Sequence, residues 1–564
     1  MSALDLVLLL PTLPLVSALS MLLLSRQWGR AVVRISTTAA AAAVAVAAVL
    51  MWLKLSGREG VVAIDGSWGS LLVDPLGLLM AAVIAVISFV VRVYSVRYMI
   101  EEPGYVRFFV LLDLMVAALF VMVLAGDLVT LLVAWHVIGI ALYFLLGHDM
   151  RSVAAHRYGF WTFLTYRLGD LPLVLAAVLL HRAFDSWSLP TIFRLVREQP
   201  EMTTVGGLPL VEVVGLLVAL AAFARSAQIL LHTWLPYTME GPTPVSVLMH
   251  AGIVNAGGFV INRFAPVFVY TDWVLHLVFV VGLVTALTGS VLMLTQNDVK
   301  KQLGYSTMGQ MGFMTMQCGV GAFTLAIYHL IAHGLFKGTL FLGSGGVIKE
   351  ARDHDGVPKD SMYTFVIEKQ PQSPRYARIV MAMSTILVPL AVLGIVHVAV
   401  APDVFEQQGA VVLLFFGWVT GAQLLLTAYR LPTRRPVHLV SVIVLSFTAV
   451  VVFYTLISHA FAEFLYPKGF QAQLYEAARI EASTLAVLIA VAAVVALAAV
   501  AVSGWAGLRD RNPERQSRAN LQRQWRATGY GVLMRELYLA ELYVASNRGL
   551  LAVSARLNTW LRWG

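Results

Sequence analysis

The chain has 564 residues, 59 % of them hydrophobic and only 13 % charged, with a mean hydropathy of +0.79. Soluble domains carry roughly a quarter charged residues, so a soluble enzyme is excluded and an all-α polytopic membrane protein is expected. The net charge of +9 could point to nucleic acid, but its distribution argues otherwise. With the N-terminus outside and each span reversing the chain, cytoplasmic segments hold about 29 Lys and Arg, outside segments about 7 and spans about 4, as the positive-inside rule requires. The C-terminus then lies on the cytoplasmic side.

Apolar runs long enough to cross a bilayer recur about 15 times. No basic region precedes the first of them, since the first basic residue is Arg26, which argues for a retained helix rather than a cleaved signal. The first three spans are expected near residues 4–24, 31–53 and 71–91, with an interfacial turn at Asp65-Gly66-Ser67-Trp68. The alanine and valine tract of the second span suits close helix packing. Cys318 is the sole cysteine, which excludes an intramolecular disulfide and a cysteine metal cluster.

The fourth and fifth spans, near 108–124 and 128–146, contain Asp113 and His136, with a tight turn at Gly126-Asp127 between them. The sixth, near 158–180, contains Arg167 and Asp170, three positions apart and able to pair on one helix face. An outside loop then runs through Pro209. The seventh span carries a permanent cation, Arg225, before breaking into HTWLP and the elbow Glu240-Gly241-Pro242-Thr243-Pro244. Such irregular backbone survives in lipid only where protein or a water-filled cavity covers it. The eighth span, near 244–265, holds His250.

After a ninth span near 273–294, QNDVKKQ makes a cytoplasmic turn into the tenth. The eleventh, near 322–346, places His329, His333 and Lys337 at i, i+4 and i+8. That spacing stacks the three on one helix face, over about 12 Å at 1.5 Å per residue. Ionisable groups in a row at this depth are expensive and mark ion pathways. Histidine changes protonation near pH 6.5, so His250, His329, His333 and Lys337 are the expected carriers. Arginine stays charged, so Arg225 is expected to set the affinity of neighbouring sites electrostatically. The longest cytoplasmic loop follows at residues 349–378. Further spans are expected near 379–400, 410–427, 439–457 and 483–504, and a basic, amphipathic tail covers 508–564. His397 is the main polar intruder in these last spans and suits a structural role.

Catalytic motifs are weak. The histidines of HDMRSVAAH lack a fixed third ligand, and no nucleotide fingerprint, phosphate loop or acyl-transfer elbow is present.

The segments ARSAQILLHTWLPYTMEGPTPVSVLMHA, DVKKQLGYSTMGQMGF and YHLIAHGLFKGTLFLGSGGVI resemble antiporter-like membrane subunits of NADH:quinone oxidoreductases and Mrp-type sodium/proton antiporters. The likeness runs from Tyr105 to Ile348 and includes YRLGD. It implies inverted five-helix repeats, each with one discontinuous helix. The corresponding division is 1–104, N-terminal helices; 105–265 and 266–436, the two repeats; 437–507, C-terminal helices; and 508–564, the tail.

Departures from that pattern are informative. His136 stands where the family has a glutamate and Arg225 where it has a lysine. No counterpart to the second broken helix's lysine lies within residues 379–400, and the family's long lateral helix and last span are reduced to the tail. This combination resembles membrane subunits of DAB-type inorganic carbon accumulation complexes of the bacterial inner membrane. The resemblance implies a DabA-like, zinc-dependent, carbonic-anhydrase-like peripheral subunit, with cation flow driving CO2 hydration to bicarbonate. It places no cofactor and no catalytic site in this chain.

His136, Arg225, His250, His329, His333 and Lys337 are carried over as the cation path, with Arg167, Asp170, Asp113 and Glu240 in support. The alternatives are a respiratory or Mrp-type antiporter subunit and a structural anchor for a partner. The ion is H+ or Na+, with the lack of a carboxylate cage favouring H+. Residues 349–378 and the tail are the expected docking surfaces for a cytoplasmic partner.

Overall fold

The computed structural model describes residues 3–57, 62–66, 69–204, 206–296, 298–353, 375–400, 414, 436–479, 528 and 530–561. Among these, nine helical runs are long and apolar enough to cross a membrane. The first run, residues 5–55, is two helices: α1 (Ala3–Trp28) and α2 (Arg34–Leu55). A turn at Gly29, where φ is +53°, divides them. The spans expected near 410–427 and 483–504, most of the 349–378 loop and residues 508–527 of the tail lie outside the described residues.

A two-stranded antiparallel hairpin, β1 (Val62–Gly66) and β2 (Gly69–Val73), interrupts the helices, with Val62 opposite Val73. The expected third span at 71–91 is therefore corrected: Leu71, Leu72 and Val73 are strand. Helix α3 (Pro75–Tyr98) starts where the Asp74 carboxylate accepts from Gly77 N at 2.8 Å, with proline in the first turn. It also runs past the expected end, carrying Arg92 within the bundle. Of the expected turn at 65–68, Asp65 and Gly66 end β1, opposite Ser70 and Gly69, and Ser67 and Trp68 lie outside the described residues.

Helices α4 (Tyr105–Val123), α5 (Leu128–Leu146) and α6 (Val153–Phe184) follow closely on expectation. Asp127 caps α5 and accepts from Ser70 N and Oγ and from Thr130 N and Oγ1 at 2.6–3.0 Å. Burial pushes its pKa up, but these hydrogen bonds outweigh burial and hold it below the usual carboxylate value. The outer loop contains a further amphipathic helix, α7 (Leu189–Glu198), which buries Leu189, Ile192, Phe193 and Val196.

The seventh span breaks as expected. Helix α8 (Leu210–Arg225) ends at irregular backbone in which Ala227 and Leu230 have positive φ. A 3-10 turn (Leu235–Glu240) then leads into α9 (Thr243–Ala251). The eighth span falls close to the expected 244–265, as one run over Thr243–Arg263, and within it the chain is irregular at Gly252, before α10 (Ala256–Arg263) and the single turn α11 (Ala265–Phe268).

Helices α12 (Trp273–Thr295) and α13 (Val299–Gly319) pack closely through glycines. A Cβ at Gly282, Gly289 or Gly312 would meet the facing backbone at 2.3–2.5 Å, the small-residue contact by which membrane helices associate. Helix α14 (Phe323–Asp353) carries the histidine column; α15 (Arg375–Val400), α16 (Pro436–Leu465), α17 (Phe470–Ala477) and the tail helix α18 (Leu539–Leu561) complete the description.

Helix ends sort onto two sides as alternating spans demand. On one side, Tyr98 Oη hydrogen-bonds Thr243 Oγ1 at 3.1 Å and Lys301 lies beside Glu536. On the other, Arg263 pairs with Asp74 at 2.5 Å and donates to the Val123 carbonyl at 2.9 Å, while Gln471 donates to the Gly321 carbonyl at 2.7 Å.

Candidate functional site

The expected path residues form two groups. The first joins α5, α6 and α8 around one carboxylate. Asp170 Oδ2 lies 2.9 Å from Arg167 Nη2 and 3.1 Å from His136 Nδ1, and its Oδ1 is 3.5 Å from Arg225 Nη2. Arg167 also contacts the His136 ring directly. Arg225 is buried; it donates to the Trp135 carbonyl at 2.5 Å, and its guanidinium lies over the Trp135 and Tyr166 rings at 4.3 and 4.1 Å. Aromatic faces attract a desolvated cation, so the protein holds this charge with one anion and two rings.

Two glycines make room for that arrangement. A Cβ at Gly139, one turn after His136, would sit 2.6 Å from Arg167 Nη2 and 3.6 Å from Arg225 Nη1. A Cβ at Gly169 would meet Ala224 Cβ at 2.5 Å, so α6 approaches α8 there. The His136 side chain is 49 % exposed, which puts it at the perimeter of the bundle, mid-way along α5.

The second group joins α9 to α14. His250 is fully buried and stacks on Phe341, ring centroids 4.4 Å apart. His329 and His333 lie with ring centroids 6.3 Å apart, and His329 packs against Phe313 at 5.3 Å. Lys337 Nζ donates to Ser306 Oγ at 2.8 Å and approaches the Leu303 carbonyl at 3.4 Å, both on α13. Gly334 brings the helices together, since a Cβ there would lie 2.7 Å from the Ala251 carbonyl oxygen.

Among the described residues, no ring nitrogen of His250 or His333 has a hydrogen-bond partner. Buried polar groups are nearly always satisfied in static cores, and leaving them unpaired is costly. Groups that must exchange partners are the exception this arrangement suits.

His232, within the broken stretch, shares the pattern: it is buried, both ring nitrogens lack partners, and its ring lies 6.5 Å from that of Tyr305. Tyr305 precedes Ser306, which holds Lys337. His232 was not singled out from the sequence; a histidine beside a span-breaking proline was the available signal.

Asp113 lies elsewhere. Its carboxylate accepts from Ser17 Oγ at 2.6 Å, Ser36 Oγ at 2.8 Å, and Arg92 Nε and Nη2 at 2.8 and 2.5 Å. Among the described residues, no hydrogen bond or ion pair joins it to His136 or Arg225; it ties α1, α2, α3 and α4 together. Glu240 closes the 3-10 turn at the elbow. His397 Nδ1 donates to the Leu393 carbonyl of its own helix at 2.9 Å, and its Nε2 lies 3.5 Å from Thr455 Oγ1. Among the described residues, no three His, Cys, Asp or Glu cluster as a metal site.

Comparison with known proteins places this geometry in context. Residues 125–361 match the family described as NADH:quinone oxidoreductase/Mrp antiporter, and residues 67–109 match the N-terminus of complex I chain 5. The chain is 54 % identical over 558 residues, 98 % of its length and 99 % of the relative's, to the probable inorganic carbon transporter subunit DabB1 of Halothiobacillus neapolitanus. It is 38 % identical over 277 residues to the NAD(P)H-quinone oxidoreductase chain 5 of Synechocystis sp., a match covering 49 % of this chain and 40 % of that one. The chain thus spans well under two thirds of such quinone oxidoreductase relatives. The Mrp complex from Dietzia sp. shares the fold with a TM-score of 0.57 at 22 % identity, over 94 % of this chain and 63 % of that one. With a full-length relative above half identity and family matches across the broken helix and histidine column, the chain belongs to the antiporter-like membrane subunits of the NADH:quinone oxidoreductase and Mrp family.

Proposed function

We propose that this chain is the proton-conducting membrane subunit of an energy-coupled inorganic carbon accumulation complex. The observation that carries this reading is the likeness, over nearly the whole of both chains, to a protein named as an inorganic carbon transporter subunit. Relatives named as quinone oxidoreductase chains match only about half of this chain. In this reading protons fall through the chain and power one-way hydration of CO2 to bicarbonate by a DabA-like partner. Zinc belongs to that partner and supplies the hydration chemistry there.

The work of this chain is to move protons. Lys337, held on Ser306, and the imidazoles of His333, His329 and His250 are the carriers. Arg225 remains charged and sets the field in which neighbouring sites gain and lose protons. Asp170 offsets the paired guanidiniums so that both persist in a low-dielectric interior. His136, on the exposed side of that cluster, is the titratable group that the fixed charges of Arg167 and Asp170 act on.

The test is bicarbonate uptake in cells lacking carbonic anhydrase, with this chain alone, with the partner alone and with both. Uptake is expected only with both, and is expected to stop when an uncoupler collapses the gradient. H333A and K337A are expected to abolish uptake while the complex still assembles. Undiminished accumulation after uncoupling would refute the reading. Zinc in the purified complex should track the partner's stoichiometry.

A further inference from the structure

The proposed relay contains histidines and a lysine but no carboxylate, and the tail supplies one. Resting on the conducting role above, we propose that Glu536 is the carboxylate at the mouth of the relay, through which protons pass between the aqueous phase and Lys337. Only 4 % of its side chain is exposed. Its Oε2 accepts from Tyr237 Oη at 2.9 Å, and its Oε1 lies 3.8 Å from Lys301 Nζ. Tyr237 belongs to the 3-10 turn of the broken helix, and Lys301 to the first turn of α13.

From that point α13 leads inward. Lys301 is one-third exposed and packs over the Tyr237 ring at 4.6 Å. One helical turn deeper on the same face lies Tyr305, fully buried and within electrostatic reach of the Glu536 carboxylate. The next residue, Ser306, holds Lys337 Nζ at 2.8 Å. The rise from Lys301 to Ser306 is about 7.5 Å at 1.5 Å per residue. A short polar row therefore joins the tail's carboxylate to the deepest amine.

The surroundings of Glu536 differ from those of a structural anion. Asp113 is enclosed by two serine hydroxyls and two guanidinium nitrogens at 2.5–2.8 Å. Among the described residues, Glu536 has the Tyr237 hydroxyl in hydrogen-bond range, the buried Tyr305 hydroxyl close by and the Lys301 amine beyond them. A carboxylate faced by neutral hydroxyls, with no guanidinium locked on it among the described residues and an amine that reaches water beside it, is suited to exchanging protons. The backbone supports a placed side chain: Glu536, Leu537 and Tyr538 have φ of 56°, 58° and 57°, a region L residues rarely adopt. Such strain persists only where surrounding structure holds it.

The whole complex, purified and reconstituted in liposomes with a trapped pH-sensitive dye, tests this under an imposed pH step. E536Q keeps an acceptor for Tyr237, and is expected to slow proton flux at least tenfold while residues 530–540 stay protected from hydrogen exchange. E536D is expected to keep more than a third of wild-type flux, and H333A to abolish it. E536Q at wild-type rate with H333A inactive overturns the mouth assignment and leaves the conducting reading standing. H333A at wild-type rate removes the conducting reading, and this inference with it. If E536Q and E536D are equally slow and both release the tail to fast exchange, the carboxylate is a staple and the proposal fails.

Discussion

Asp113 and Arg92 offer a direct way to separate a group that conducts from one that holds the fold. Both side chains are at most 1 % exposed and meet at 2.5 Å. Replacing Asp113 by alanine leaves the guanidinium buried without its anion, and Ser17 and Ser36 without their acceptor. Breaking a buried pair in this way typically costs about 3–5 kcal/mol. Because neither group is solvated, no screening discount applies. At about 1.4 kcal/mol per factor of ten, the folded population should fall by at least about a hundredfold relative to unfolded forms. Arg92 also bonds the Ser88 carbonyl at 3.0 Å, which retains part of its geometry and favours the lower end of that range.

The informative variant is the neutral pair R92M/D113N. Exchanging both partners for uncharged groups of similar volume is often neutral in stability, and the asparagine can still bond both serine hydroxyls. The assay is the thermal midpoint of the purified complex by size exclusion after heating, alongside proton flux in liposomes. D113A should lower the midpoint by many degrees or prevent assembly, whereas R92M/D113N should recover most of the midpoint and conduct near the wild-type rate. A stable R92M/D113N complex that conducts nothing would put Asp113 in the path and refute the structural assignment. Wild-type stability of D113A would refute the energetic reasoning.

Both R225K and R225Q are expected to slow flux at least about tenfold, equivalent to ~1.4 kcal/mol in barrier; full transport by both would show that the fixed guanidinium is dispensable. G334V should separate α14 from the Ala251 carbonyl it approaches, costing about 1–3 kcal/mol by overpacking and slowing flux, read from the thermal midpoint and liposome assay. Asp127, whose pKa is lowered by hydrogen bonds that outweigh burial, contributes stability fully present above the unfolded value of about 3.9 and lost as pH falls through the lower folded value. The midpoint gap between wild type and D127N should hold from neutral pH to about 5 and close below about 4; a gap that widens in acid would reverse the assignment. Flux should be indifferent to replacing Na+ by choline, because hard cations select oxygen ligands and the column offers imidazole and amine; sodium-dependent flux would contradict a proton relay.

The parts of the fold legible in the sequence were those governed by local pattern. Span 128–146 falls where its apolar run and the tight turn at Gly126-Asp127 put it. The break after Arg225 was announced by proline and polar residues inside a hydrophobic stretch. The i, i+4, i+8 column was visible because one helix carries all of it. Long-range pairing was not visible. The apolar run of span three ends at Val91, before Arg92, yet α3 continues to Tyr98 with Arg92 neutralised by a carboxylate twenty-one residues away. Likewise nothing local tells that Glu536 returns to the elbow at Tyr237, 299 residues earlier in the chain. The irregular backbone at Gly252 leaves no mark on hydropathy, because glycine interrupts a helix without adding a polar side chain.

The distribution of acids follows from the same electrostatics. A carboxylate within the column beside Lys337 would pair with the amine and fix its charge, since an adjacent opposite charge favours the ionised form of both. The described structure keeps its well-placed acids away from that position: Asp113 is closed on Arg92, Asp170 on two arginines, and Glu536 waits at the surface end of α13. Lys337 is left with a serine hydroxyl and a carbonyl, neutral partners that orient the amine without binding it as an ion pair. In the proposed relay, that choice of partners lets the same group accept a proton and release it again, which a tight salt bridge at mid-membrane would prevent.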